Sequence, residues 1–159
     1  MIKVTVIALG KLKEKYLSDA VKEYAKRLSG YCKLDIVELE PIRINDKPSQ
    51  SEIHNTLEKE AELIIKKIPQ NSEIVTLCVE GKGMTSPEFA KKVRLCEDMG
   101  KSITLIIGSS YGLSDKVKTL SSLRLSLSEM TFPHQLFRVM LLEQIYRAFK
   151  INEGSAYHK

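Results

Sequence analysis

The sequence predicts an α/β fold, a mostly parallel sheet flanked by helices, and three observations carry that prediction. Short apolar segments of strand length alternate with segments whose apolar residues recur every three or four positions. The segments Ile74 to Val79 and Ile103 to Ile107 are almost continuously apolar, as strands buried on both faces are. The segment from His134 to Ile151 is apolar around more than one stripe, which places it in an interior rather than on a surface. With 159 residues the chain is long enough for one domain with a packed core, spanning 1–159, and too short for a second.

Taken in order, Ile2 to Leu9 reads as a strand. Lys3 interrupts its apolar run and Lys11, Lys13 and Lys15 follow it, the wrong pattern for a signal segment. Leu17, Val21, Tyr24 and Leu28 then mark one helix face, ended by Gly30. Leu34 to Leu39 mixes apolar and acidic residues as a half-exposed strand does, and Pro41 to Pro48 is a polar connection. Ser49 and Glu52 form a capping-box pattern ahead of Ile53, Leu57, Ala61, Ile64 and Ile68, a second amphipathic helix closed before Pro69. After the strand Ile74 to Val79, the glycines from Gly81 read as a flexible turn, and Ser86-Pro87-Glu88 starts the next helix. Ile103 to Ile107 is the fourth strand, Ser114 to Leu120 a weak helix, Leu123 to Leu127 the last strand and His134 to Ile151 the last helix. The sheet covers one side of that final helix, and a second copy of the same helix is the simplest cover for another, so a symmetric dimer is favoured over a fully internal helix.

Apolar residues make up 43% and charged residues 28%, a balance that argues against disorder and fibrous repeats. No apolar run approaches the ~20 residues of a membrane span, so a soluble, cytoplasmic protein is expected. Cys32, Cys78 and Cys96 are odd in number and form no CxxC pair, which predicts reduced thiols and no metal site. The net charge of +5 is uneven: seven basic residues face three acidic ones between Lys11 and Lys33. That excess suits a phosphate backbone, and suits a solvated helix face equally well.

Two glycine patterns invite chemistry. Gly81-Lys82-Gly83-Met84-Thr85-Ser86 imitates a dinucleotide fingerprint, but Ser86 stands where the third glycine belongs and the next strand ends in Ile106-Ile107-Gly108 without the ribose-binding acid. Gly108-Ser109-Ser110-Tyr111-Gly112 is a literal GxSxG, and in a serine hydrolase Ser110 would be the nucleophile, Asp115 or Glu129 the acid and His134 the base. Three fixed positions arise often by chance, and the preferred alternative is a turn that lets backbone approach a ligand closely.

More specific is the stretch Met130-Thr131-Phe132-Pro133-His134-Gln135, continued by Leu141-Leu142-Glu143-Gln144-Ile145-Tyr146-Arg147-Ala148-Phe149-Lys150 and by Ala156-Tyr157-His158-Lys159. Together with Gly10-Lys11-Leu12-Lys13, these segments resemble the RlmH family of SPOUT methyltransferases over the whole chain. The resemblance implies a SPOUT-type sheet with a C-terminal trefoil knot, a homodimer, and S-adenosyl-L-methionine bound by Leu77, Gly108 and the run Leu127, Ser128, Glu129, Met130, Thr131 and Phe132. It implies methylation of N3 of a pseudouridine in helix 69 of 23S ribosomal RNA within the assembled ribosome. The family places two glycines where this chain has Gly108-Ser109.

The residue chemistry agrees with that expectation. An activated methyl on the cofactor removes the need for a metal or covalent nucleophile, leaving alignment and removal of a proton. His158 is the candidate for that proton, a task suited to imidazole near neutral pH. Tyr157 is placed to stack on a base and Arg138 to hold a phosphate or carbonyl, or only to pair with a neighbour. Met130 and Phe132 offer apolar contact to a cofactor or serve as core. His134 caps the last helix or holds the loop beneath it, and Glu143 and Arg147 form a helix salt bridge. Lys11, Lys13 and Lys15 add salt-sensitive affinity for RNA. A hydrolase using Ser110 and a ribosome-binding protein without catalysis are the competing readings.

Overall fold

Five strands pair in parallel into one sheet in the computed structural model, which describes residues 1–159. They are β1 (Ile2–Leu9), β2 (Cys32–Leu39), β3 (Ser72–Gly83), β4 (Ser102–Ile107) and β5 (Leu123–Ser126), in the order β2-β1-β4-β3-β5. Five helices connect or follow them: α1 (Lys15–Leu28), α2 (Gln50–Ile65), α3 (Ser86–Asp98), α4 (Asp115–Leu120) and α5 (His134–Asn152).

The strand alternation divides the core in two. Val4, Val6 and Ala8 of β1, with Val75, Leu77, Ile103, Leu105 and Ile107, face α1, α3 and α5. Ile7, Leu9 and Ile106 face the opposite way, against Ala61 and Ile64 of α2 and Val117 of α4. Both faces of the central strands are therefore covered, which is why they read as continuous apolar runs.

Local signals set most helix starts. Ser49 accepts from the Glu52 amide while Glu52 reaches back to the Ser49 amide, and Thr85 and Glu88 repeat that reciprocal cap with Pro87 in the first turn of α3. The α2 helix ends at Ile65 rather than Ile68, because Lys67 and Ile68 bond to Ile64 and Ile65 in a tight turn before Pro69. Ile68 nevertheless packs on the second core.

The largest departure from the sequence reading is β3. Gly81, Lys82 and Gly83 are not a free turn but continue the strand, with Lys82 opposite Leu125 and Gly83 opposite Ser126. Leu125 also opposes Leu77, so the residues between are bulged out of the ladder. Gly81 is required there, since a Cβ would stand 2.7 Å from the carbonyl oxygen of Arg124.

The α5 helix lies against α1 and α3 of its own chain as well as the sheet, cover that the sequence alone did not assign. Leu141, Leu142, Ile145, Ala148 and Phe149 are buried, while Val139 and Met140 remain partly open.

Candidate active site

A pocket of about 510 Å³ opens where β3, β4 and β5 end, the place where open parallel sheets bind ligands. Its floor is Leu77, Ile107, Gly108, Leu113 and Phe137, and its walls are the bulge Cys78–Glu80, the turn Ser109–Gly112 and the loop Ser126–Phe132. Val79, Tyr111, Met130 and Phe132 are exposed large apolar side chains, and all four line this pocket. Apolar surface gathered at the rim of a cavity is the mark of a ligand site.

Backbone demands shape each wall. A Cβ on Gly108 would lie 2.2 Å from the Gly112 carbonyl oxygen, so only glycine lets the turn fold back on the end of β4. Gly112 completes the turn at φ +87, with its amide bonded to the Ser109 carbonyl at 2.9 Å. Opposite, Ser126 donates to the Ser128 carbonyl at 3.0 Å and Ser128 Oγ accepts from the Met130 amide at 3.0 Å, which curls the loop around the opening. The His134 ring bonds to the Gly108 carbonyl, and burial pushes its imidazole below the usual value, so it is a neutral donor.

Of the residues expected to hold a cofactor, Leu77, Gly108, Leu127, Ser128, Met130, Thr131 and Phe132 line the pocket. Glu129 is exposed between Ser128 and Met130 in the same loop, outside the lining. Ser110 lines the pocket too, but it has no bonded base: the His134 ring is committed to Gly108, and Asp115 opens α4 on the surface. The geometry of a serine nucleophile is therefore missing.

Lys11 and Lys13 are exposed on the connection after β1, and Lys15, also exposed, opens α1. That connection is pinned to α5 twice, by the Lys13 amide donating to Gln135 Oε1 at 2.8 Å and by Arg138 Nη2 donating to the Gly10 carbonyl at 3.0 Å. Lys15 is paired with Asp19 at 2.6 Å. Arg138 is not an open hand for phosphate: it is 1% exposed and its Nη1 meets Glu38 Oε2 at 2.6 Å. The sequence reading allowed for a neighbour's pairing, and the partner turns out to lie on β2.

Tyr157 and His158 pack on the far part of α5, outside the pocket. Tyr157 donates to Glu143 Oε2 at 3.0 Å, its ring meets Tyr146 edge-on at 5.2 Å, and Arg147 lies over it at 4.7 Å. Arg147 Nη1 is 3.2 Å from His158 Nδ1, and since guanidinium only donates, that nitrogen accepts. Glu143 and Arg147 do form the expected helix pair, at 2.8 Å.

Two charged pocket residues were given no role by the sequence reading. Glu80 stands one place before Gly81, where a Cβ would meet the Arg124 carbonyl, so the glycine was its signal, whereas nothing local marks Lys118. They meet across the pocket edge at 2.5 Å.

No group of three or more His, Cys, Asp or Glu side chains is arranged to hold a metal ion, and no helix is long and apolar enough to cross a membrane. A family model for predicted SPOUT methyltransferases matches residues 2–158. A protein from Clostridium acetobutylicum described as ribosomal RNA large subunit methyltransferase H is 51% identical over 160 residues, covering 98% of this chain and 99% of the relative. One from Clostridium perfringens, described as ribosomal RNA large subunit methyltransferase H 1, is 50% identical over 157 residues with the same coverage. Among solved structures, a methylase family protein from Neisseria gonorrhoeae has a TM-score of 0.56 at 11% identity, covering 99% of this chain and 87% of its own. Another from Haemophilus influenzae has a TM-score of 0.55 at 11% identity, covering 96% and 67%. At that identity the likeness is one of fold.

Proposed function

The chain belongs to the SPOUT methyltransferase family, and from that premise we propose that it methylates ribosomal RNA of the large subunit with S-adenosylmethionine as donor. The observation that carries the reading is the pocket itself, a cavity at the ends of β3, β4 and β5 whose apolar rim and hydroxyl-lined loops suit a nucleoside. Gly108 fits this use, because the turn it permits brings main-chain groups to the cavity wall where a side chain would block them. When bound, S-adenosylmethionine supplies a methyl already activated on sulfur, so neither a metal nor a covalent nucleophile is required of the protein. Leu77, Gly108 and the loop from Leu127 to Phe132, Glu129 included, hold it, with Met130 and Phe132 shielding it from water.

The finer target is N3 of a pseudouridine in helix 69 of 23S ribosomal RNA, met in the assembled ribosome in the cytoplasm. Lys11 and Lys13 project from a connection pinned to α5 beside the pocket and serve as phosphate contacts, with Lys15 adding charge. Arg138 acts as a positioning residue that fixes this connection through Gly10. Tyr157 stacks on the target base, and His158, its Nδ1 released from Arg147, takes the proton that leaves N3 as the new N–C bond forms and the methyl's bond to sulfur breaks.

The catalytic unit is a single domain, 1–159, with a trefoil knot in its C-terminal half, and it works as a homodimer. A second groove of about 380 Å³, lined by Tyr24, Met84, Phe89, Val139 and Met140, supports the dimer. Leu127 lines both groove and pocket, so a partner seated there adjoins the cofactor and brings its own tail near it.

Calorimetric titration with S-adenosylmethionine, followed by mass spectrometry of ribosomal RNA from a deletion strain, tests the proposal. Saturable binding and one missing methyl are expected; absence of both refutes it. Removal of Tyr157 to Lys159 abolishes turnover while leaving cofactor affinity nearly intact, and unchanged turnover would exclude the tail's role.

A further inference from the structure

Among the side chains lining the cofactor pocket, Glu80 and Lys118 are the only ones that carry charge, since His134 is held neutral. Everything else in the wall is apolar, a hydroxyl, a thiol or main chain. The nucleoside part of S-adenosylmethionine suits such walls. Its other end is a zwitterion, an α-ammonium beside an α-carboxylate, and charges leaving water need opposite charges to meet them.

The pair is built for that. Lys118 is largely covered, with its side chain 18% exposed, so α4 presents its ammonium in a fixed place. Glu80 is 59% exposed and free to move. It faces the pocket only because β3 leaves its ladder between Leu77 and Lys82, a distortion that Gly81 makes possible against the Arg124 carbonyl. Left alone, the two groups neutralise one another, and the Lys118 ammonium that donates to Glu80 holds that carboxyl below its usual range. A zwitterion of matching spacing replaces one ion pair by two, with no charge left over.

We infer that Glu80 and Lys118 form the subsite for the amino-acid end of the cofactor, Lys118 receiving the carboxylate and Glu80 the ammonium. This rests on reading the pocket as the S-adenosylmethionine site. The competing account is that the pair only ties α4 to β3.

Two nucleosides separate these accounts, S-adenosylhomocysteine, which keeps the amino-acid end, and 5′-methylthioadenosine, which lacks it. Each is titrated calorimetrically into the full-length protein and into Lys118→Gln, Lys118→Arg and Glu80→Gln. Lys118→Gln and Glu80→Gln are expected to weaken S-adenosylhomocysteine about tenfold or more while shifting methylthioadenosine by less than about twofold, as loss of one charge-assisted pair predicts. Lys118→Arg restores most of the affinity. Methylthioadenosine also reports whether each variant keeps a formed pocket, and Glu80→Gln carries the test should Lys118→Gln not fold. Equal losses for both ligands, or no loss for either, overturn the inference. If the wild-type protein binds neither nucleoside, the cofactor reading fails and takes the subsite with it.

Discussion

The His134 ring donates a hydrogen bond to the main-chain carbonyl of Gly108, joining the first residue of α5 to the residue that follows β4. This single bond sets the pocket floor, because Gly108 is the point from which the turn to Gly112 folds back. His134→Ala leaves that carbonyl without its partner and is expected to cost roughly 1–2 kcal/mol. Cofactor affinity falls several-fold while the circular dichroism spectrum is kept, and His134→Gln recovers part of both. Burial lowers the native imidazole's proton affinity, so the unfolded chain takes up a proton first as pH falls. Wild-type stability therefore declines below about pH 6.5, and His134→Gln flattens that part of the profile. An identical slope in the variant would exclude His134 as the source.

Arg138 and Glu38 are unequal partners. The arginine side chain is 1% exposed and the glutamate side chain 38%, so each leaves a different remnant when the other is removed. Glu38→Ala strands a buried guanidinium that keeps only the Gly10 carbonyl, a loss of about 3 kcal/mol. Arg138→Met fills the space with apolar volume and leaves a carboxylate that water can reach, for about 1 kcal/mol. Urea denaturation ranks the two; the opposite order would show that the pair is not buried in this one-sided way.

Beneath the pocket turn, Glu60 is 2% exposed and accepts from the Ile42 amide at 3.1 Å through one oxygen. Its other oxygen and the buried hydroxyl of Ser109 both lack a geometrically sound partner. Burial raises the carboxyl above its ordinary value, outweighing the Ile42 hydrogen bond that opposes the rise. With the folded value raised, the native state holds the proton longer, so this group's contribution is full below about pH 4.5 and is lost as pH rises. Glu60→Gln is neutral at every pH and its amide can donate to Ser109, so it is expected to gain roughly 1 kcal/mol near pH 7 and little at pH 4. A thermal melt in which Glu60→Gln is the less stable protein at pH 7 would contradict this.

Glu73 shows the opposite sign. Hydrogen bonds from Ser122 and Lys92, with Lys101 near, hold its carboxyl at about 2. The stability it lends is complete above the ordinary value near 4.5 and disappears as pH falls from there toward 2. Glu73→Gln is expected to lower the melting temperature by several degrees at pH 7, and the gap to wild type should close under acid. A gap that persists at pH 2.5 would locate the effect in packing instead.

What was legible in the sequence follows the distance over which each signal acts. The Ser49–Glu52 cap lies within one turn of α2, and its residues announce it. For α3 the actual cap, Thr85, stands one residue ahead of the Ser86-Pro87-Glu88 start read from the sequence. The Leu127 to Phe132 loop was legible through the motif it shares with a family, and most of it lines the pocket. By contrast, Gly81-Lys82-Gly83 has the composition of a turn, and only pairing with β5, some forty residues on, makes it strand. Arg138 and Glu38 lie 100 positions apart, and Glu80 and Lys118 lie 38 apart, so no local pattern joins them.

The alternation of apolar runs and amphipathic helices by itself determined an α/β architecture with buried parallel strands, because side-chain period and solvent exclusion are properties of the chain read locally. Tertiary structure alone decided which charges meet, that β3 bulges to turn Glu80 toward a cavity, and that Arg138 is spent on Glu38. Those outcomes depend on strand order and register, which bring distant residues within reach of one another only once the sheet has closed around its core.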